Sequence, residues 1–191
     1  MPKTLKITRF GNPILRKKTS QLSLVEIKSP KIQDLIRNIR YTLKENESGV
    51  GLAAPQVGKA VALSVIGIKP TPSRPNLEVF ETVIINPRVV QTFGELKPLW
   101  EGCASCGNGN DILFAKVPRY SKVKLSWLDE NGKKHLGILS GFVAHVAQHE
   151  TDHLNGVLFI DKVKDPSTFM MMDEYQKRVV SKRKKNDNIK L

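Results

Sequence analysis

One stretch of six residues, Gln148-His149-Glu150-Thr151-Asp152-His153, is equipped for hydrolysis. It contains H-E-x-x-H, and the residues around it have helical spacing. Residues four apart on a helix lie one turn up and about 40° round from each other. His149 and His153 can therefore grip one metal ion from the same face. Glu150 projects to the side, where it can take a proton from a water on that metal. Five-residue matches also arise by chance, so the motif needs support from elsewhere in the chain.

Two histidines leave a Zn²⁺ or Fe²⁺ ion short of protein ligands, because a catalytic site has three and an open position for water. The candidates are Cys103, Cys106, His135, His145 and scattered carboxylates. His145 lies one turn before His149. Three stacked imidazoles cannot all reach one ion at about 2 Å, since the outer pair is about 12 Å apart in rise. His145 therefore reads as packed or solvent-touching, and His135, in an expected strand, has no partner pattern. Cys103 is the stronger candidate. Gly102 before it permits a close backbone approach, and a thiolate is a strong ligand for both metals. Cys103 and Cys106 also have the C-x-x-C spacing of redox pairs. A bridge between them would take the thiolate from the metal. No βαβ pattern surrounds the pair, which argues against a thioredoxin-like module.

The elements that must position these groups follow from hydrophobic period and turn signals. Residues 1–29 read as irregular. Ser29-Pro30 opens a helix with Ser as cap and Pro first. Ile32, Leu35, Ile36, Ile39 and Leu43 give it one apolar stripe, and Gly49 ends it. Gly51 to Gly58 reads as loop, Ala60 to Ile68 as strand, and Pro70 to Pro75 as a turn-rich connector. Val79 to Ile85 and Arg88 to Thr92 read as strands split at Asn86-Pro87. Val123 to Leu128 and Lys133 to Leu139 form a hairpin about Asp129-Glu130-Asn131-Gly132. Ser140 caps the helix that carries the histidines, and Asn155-Gly156 stops it. A last helix begins near Asp165-Pro166. Helix, strands, helix, helix is an α+β order: a single domain whose central metal-binding helix packs against antiparallel strands, with a helix at the C-terminal end.

The chain has 191 residues, 40% hydrophobic and 26% charged, an ordinary composition for a soluble domain with a sizeable core. No apolar run is long enough to span a bilayer, so no membrane partner is expected. The first 25 residues hold six basic side chains and no acidic one, but Pro2, Gly11 and Pro13 interrupt any amphipathic helix. They do not read as a cleaved targeting sequence. Two thiols make no disulfide scaffold, and a reducing cytoplasm fits them. Lys+Arg less Asp+Glu is 31 − 18 = +13, an excess that favours polyanionic partners.

Three segments in this order resemble peptide deformylases. Gly49-Val50-Gly51-Leu52-Ala53-Ala54-Pro55-Gln56 is similar to that family's G-x-G-L-A-A-x-Q, Glu101-Gly102-Cys103-Ala104-Ser105 to E-G-C-L-S, and Gln148 to Leu154 to Q-H-E-x-D-H-L. The opening from Phe10 to Arg16 shares the look, and the likeness runs from about residue 5 to about residue 165. The resemblance implies a metal-dependent amidase that removes the formyl group from the N-terminal formyl-methionine of new polypeptides. It implies Cys103, His149 and His153 as ligands of one divalent ion, iron in the cell, with Zn²⁺, Ni²⁺ or Co²⁺ also suited to the donors. It implies Glu150 as acid and base, Gln56 and the Ala104 N–H as donors to the formyl oxygen, and Gly51 as a further site residue.

Two departures stand out. Ala104 replaces a leucine, which keeps the N–H but should loosen a wall of the cleft. Cys106-Gly107-Asn108-Gly109-Asn110 replaces an aliphatic-proline continuation and reads as a mobile loop near the cleft. Beyond a catalytic unit at 1–165, residues 166–191 form a basic C-terminal helix or tail. Lys177, Arg178, Lys182, Arg183, Lys184 and Lys185 crowd it, and Phe169, Met170, Met172 and Tyr175 can share one helical face. By default such a charge run is a solvated face or frayed end; the resemblance gives equal weight to docking on the RNA surface of the ribosome from which the substrate emerges. Two other classes compete. A zinc endopeptidase would need a third ligand downstream, and no His follows His153. A nucleic-acid module with a vestigial metal site suits the charge but not the intact Gln56, Cys103 and Glu150.

Overall fold

The computed structural model describes residues 1–46, 49–70 and 77–181. The connector expected at Pro70 to Pro75 lies, after its first residue, outside them, as do Lys182, Arg183, Lys184 and Lys185 of the basic tail. Two helices come first, α1 (Leu24–Lys28) and α2 (Pro30–Glu45). The N-terminal stretch expected as irregular thus holds α1, opened by a capping box. The Glu26 N–H donates to Ser23 Oγ at 3.3 Å, and the Ser23 N–H donates to the Glu26 carboxylate at 2.8 Å. Ser29 and Pro30 open α2 as expected. Asn46, extended, ends it ahead of Gly49.

Six antiparallel strands and a third helix follow: β1 (Gly51–Ala53), β2 (Leu63–Ile68), β3 (Phe80–Gly102), β4 (Leu113–Leu128), β5 (Lys134–Ser140), α3 (Gly141–Leu154) and β6 (Met170–Met171). The sheet order is β1-β2-β3-β4-β5, with β6 paired to β4. The segment from Gly51, expected as loop, supplies β1 and a tight turn over Ala54–Val57. Leu52, Ala53, Ala54 and Pro55 are buried, and pairing with β2 gives the backbone groups of β1 partners.

The two strands expected either side of Asn86-Pro87 are one. Ile85 faces Leu128 and Arg88 faces Ser126, so β3 carries one extra residue there. Asn86 takes a φ of 51°, and Pro87 has no N–H to strand unpaired. The Asn86 side chain instead holds both backbone groups of Leu22, at 2.9 and 2.8 Å.

Strand alternation divides the core. Leu63, Val65, Val83 and Ile85 meet Ile32, Ile36, Ile39 and Leu43 of α2. Ile66, Ile68, Ile84 and Leu125 meet Val146 and Ala147 of α3. Each fully buried side chain of this kind contributes about 1.5–3 kcal/mol. Ser64 is the polar exception on β2, fully buried. Ser140 holds the capping position of α3 without a side-chain capping bond, and β5 turns straight into the helix at Gly141, with φ 57°.

The last helix starts later than expected. Asp165 caps only a short turn over Pro166–Thr168, after which Met170 and Met171 pair with Phe114 and Leu113. Helix α4 (Met172–Tyr175) then runs on as a wider turn over Gln176–Val180. Phe169 and Met170 therefore do not share its face. Tyr175 is buried, stacked on Phe114 at 4.2 Å and edge-on to Trp100 at 5.5 Å. Lys177 and Arg178 are exposed and pair with Glu174. Among the described residues no helix is long and apolar enough to cross a membrane.

Candidate metal centre

Helix α3 presents His149 and His153 one turn apart, with ring centroids 4.8 Å from each other. The end of β3 delivers Cys103 to them. Its Sγ lies 3.3 Å from His153 Nε2. One donor atom from each of the three residues falls within 4.8 Å of the others, within reach of one ion with bonds of about 2.0–2.3 Å. Cys103 and His153 are 3% and 1% exposed. The hydrogen bond that its S–H gives to Cys106, together with burial, pushes the Cys103 thiol well above its usual range, so a thiolate there calls for a cation beside it. Burial and the charge of His149 push His153 well below the usual histidine range, leaving a neutral ring fit to be a ligand. The donor set thus fits a divalent ion.

His149 turns its Nδ1 away from the cluster and donates it to Glu101 Oε2 at 2.8 Å. That bond fixes the ring and leaves Nε2 for a metal. Glu101 is also held by Arg119, at 2.6 and 3.0 Å, and by His145 Nε2 at 2.7 Å. Arg119 continues to Asp152, and Asp152 to Lys162 at 3.2 Å. Burial alone would raise the Glu101 carboxyl, but the bonds from His145, His149 and Arg119 outweigh it and hold it well below the usual range. Burial likewise opposes a charged His149, yet Glu101 raises it overall.

Glu150, next to His149, is 2% exposed and accepts from Ser64 Oγ at 2.6 Å. Burial raises its carboxyl above the usual range, against the pull of His149 and Ser64. Gly51 leaves room for it: a Cβ there would stand 2.2 Å from Glu150 Oε1. Gln56 is held from both ends. Its Oε1 accepts from the Ala53 N–H at 2.9 Å, and its Nε2 lies 3.3 Å from Cys103 Sγ and 3.3 Å from Ser105 Oγ. Ala104 begins the turn after Cys103, and its N–H has no acceptor among the described residues. All seven residues singled out from the sequence, Gly51, Gln56, Cys103, Ala104, His149, Glu150 and His153, therefore meet in one place.

Others stay apart. His135 stacks on Trp127 and pairs with Asp129 at 2.9 Å. Gly102 does accommodate a close approach, but of the Phe114 ring, which a Cβ would meet at 2.6 Å. Both cysteines are free. In the Cys106 loop Asn108, Gly109 and Asn110 are exposed, while Gly107 is held. Gly107, with φ 140°, is wedged against the Asp111 backbone, and Arg9 Nη1 donates to the carbonyls of Ala104 and Gly107. Sequence reasoning missed Ser64, Arg119 and Asp152. A charged residue in an alternating strand and a lone serine in an apolar one were the available signals.

The profile of polypeptide deformylases matches residues 4–169. "Peptide deformylase 2" of Nostoc sp. is 35% identical over 184 residues, covering 96% of this chain and 99% of that protein. The peptide deformylase of Aquifex aeolicus is 36% identical over 177 residues, covering 93% and 98%. Among solved structures, the class I type b enzyme of Acinetobacter baumannii with Met-Ala-Ser bound superposes with a TM-score of 0.79 at 30% identity, covering 85% of this chain and 100% of that one.

Proposed function

The chain belongs to the peptide deformylase family, and we propose that it hydrolyses the N-formyl group of newly made polypeptides that begin with formyl-methionine, releasing formate. The observation that carries this reading is the convergence of Cys103, His149 and His153 with a buried carboxylate, Glu150, beside them. A bound divalent cation, iron in our reading, supplies Lewis acidity and lowers the pKa of water toward neutrality. Glu150 accepts a proton from the attacking water, whose oxygen bonds to the formyl carbon. It then passes that proton to the amine as the C–N bond breaks. Charge that develops on the formyl oxygen is met by the Gln56 amide and the Ala104 N–H, donors of a kind worth about 10²–10³ each in rate. Pro55 and the Ala53 N–H keep the Gln56 amide pointed inward.

An endopeptidase reading is not favoured, because the third candidate ligand, Cys103, comes from upstream, directly after β3, and not from beyond the helix. We assign catalysis to residues 1–165 and docking on ribosomal RNA to the basic 166–191, in the cytoplasm. Truncation after Tyr175 is then expected to weaken salt-sensitive ribosome binding and to spare activity on free peptides; equal binding contradicts the docking role. The test of the main reading is formate release from formyl-Met-Ala-Ser by protein purified with Fe²⁺ without oxygen. One formate per peptide with the Met-Ala-Ser backbone intact is expected. Cleavage of an internal bond, or no formate from metal-loaded protein, overturns it.

A further inference from the structure

Glu101 accepts more hydrogen bonds than holding one ligand ring requires. Oε2 takes His149 Nδ1 at 2.8 Å and Arg119 Nη2 at 3.0 Å; Oε1 takes Arg119 Nε at 2.6 Å and His145 Nε2 at 2.7 Å. A carboxylate has about four acceptor positions, and all are filled. The His145 ring is buried, 6% exposed, and edge-on to Phe142. It lies outside the donor cluster and outside the reaction described above.

We propose that His145 is a positioning residue of the metal centre, the second of two pins by which Glu101 locks α3 to the end of β3. The two elements carry different ligands. His149 and His153 ride on α3, and Cys103 follows Glu101 by two positions at the end of β3. Their relative placement sets whether three donors meet one ion. With one direct bond, from His149, the end of β3 that carries Cys103 could still tilt against α3 about that contact, although Asp152–Arg119, Gln148–Tyr120 and Glu150–Ser64 hold the helix elsewhere. A second bond, one turn away or about 6 Å along the axis, removes that freedom. Both bonds end on one carboxylate, which the Arg119 fork holds in plane. Loss of the His145 donor frees one position on Oε1 and leaves His149 as the one direct bond from α3 to Glu101 among the described residues.

The proposal rests on Cys103, His149 and His153 being metal ligands. The test uses full-length protein loaded with Co²⁺, comparing wild type with His145→Leu and His145→Gln. Leucine fills space without a donor; glutamine restores an N–H. Metal release to a chelator, the visible Co²⁺ spectrum, kcat and KM are measured, with the unfolding midpoint of metal-free protein as the packing control. For His145→Leu, release about ten-fold faster is expected, the low end for partners of a ligand ring. The spectrum should shift and kcat fall, with KM within about two-fold of wild type. His145→Gln should recover at least half of the change in release on a logarithmic scale. Release and spectrum equal to wild type in the leucine variant overturn the proposal, whatever the unfolding midpoint does. So does a glutamine variant that folds but behaves as the leucine one. Wild type that binds no stoichiometric Co²⁺ would instead bring down the ligand assignment itself.

Discussion

Replacing Gly51 by alanine should nearly abolish turnover while leaving the metal in place. Gly51 pairs with Ile66 of β2 and has no positive φ, so alanine meets no backbone strain there. The effect is contact alone. The new methyl carbon would stand 2.2 Å from Glu150 Oε1, 2.7 Å from Cδ and 3.0 Å from Cγ. Ordinary contacts begin at 3.4 Å, so the carboxylate must retreat by about 1 Å. It cannot do so freely, because Ser64 Oγ holds its other oxygen at 2.6 Å. A displacement of about 1 Å in a reacting group costs about 10² in rate, or about 2.7 kcal/mol at 1.36 kcal/mol per factor of ten. The three atoms nearest the added carbon all belong to Glu150 and none to Cys103, His149 or His153. The assay is kcat and KM on formyl-Met-Ala-Ser, with metal per protein measured on the same sample. A fall of about 100-fold in kcat with metal content unchanged is expected. An alanine variant within about three-fold of wild type would show that Glu150 has room the coordinates deny, and would remove the argument for Gly51.

Ser64→Ala deletes a bond that favours ionised Glu150, so its carboxyl should rise further above the usual range. A base must be deprotonated to act, and the acidic limb of the kcat/KM profile is expected to move to higher pH; an unmoved limb argues against Glu150 as the base. Among the described residues, Arg119→Met leaves buried Glu101 with only its two histidine donors and Asp152 with only Lys162, and should destabilise the protein by about 3–5 kcal/mol in urea unfolding; less than 1 kcal/mol would mean the network is not a unit. Ile39→Ala empties a fully buried position on α2 and is expected to cost about 2–5 kcal/mol by the same measurement, with metal content preserved. Ala104→Leu should change selectivity among formyl-Met peptides while leaving formate release intact, read as kcat/KM across a peptide panel; identical ratios would deny that this side chain lines the cleft.

The metal site was legible from the sequence because its hardest requirement is local. Two imidazoles on one helical face need only four-residue spacing, and the capping and stop signals at Ser29-Pro30 and Asn155-Gly156 set the helices from neighbouring residues. Elements whose form depends on distant pairing were not. The bulge at Asn86 looks like a break until β4 is seen to continue past it, and Gly51–Ala53 looks like loop until β2 covers it. Supporting contacts were hidden for the same reason: Glu101 lies 48 residues from His149, and Ser64 lies 86 from Glu150.

The motif glycines show where a pattern stops being an explanation. Gly51 and Gly102 both sit beside reactive residues, and both would look alike as letters that tolerate no side chain. One makes room for the Glu150 carboxylate, the other for the Phe114 ring, on which Tyr175 of the C-terminal segment stacks in turn. The first leaves room for the proposed proton acceptor, and its substitution should show in kcat. The second joins the end of β3 to β4 and the chain's last helix, and its substitution should show first in stability and in how Cys103 is presented. A shared requirement for a missing Cβ thus divides into a chemical role and an architectural one, and the atom that would be struck decides which.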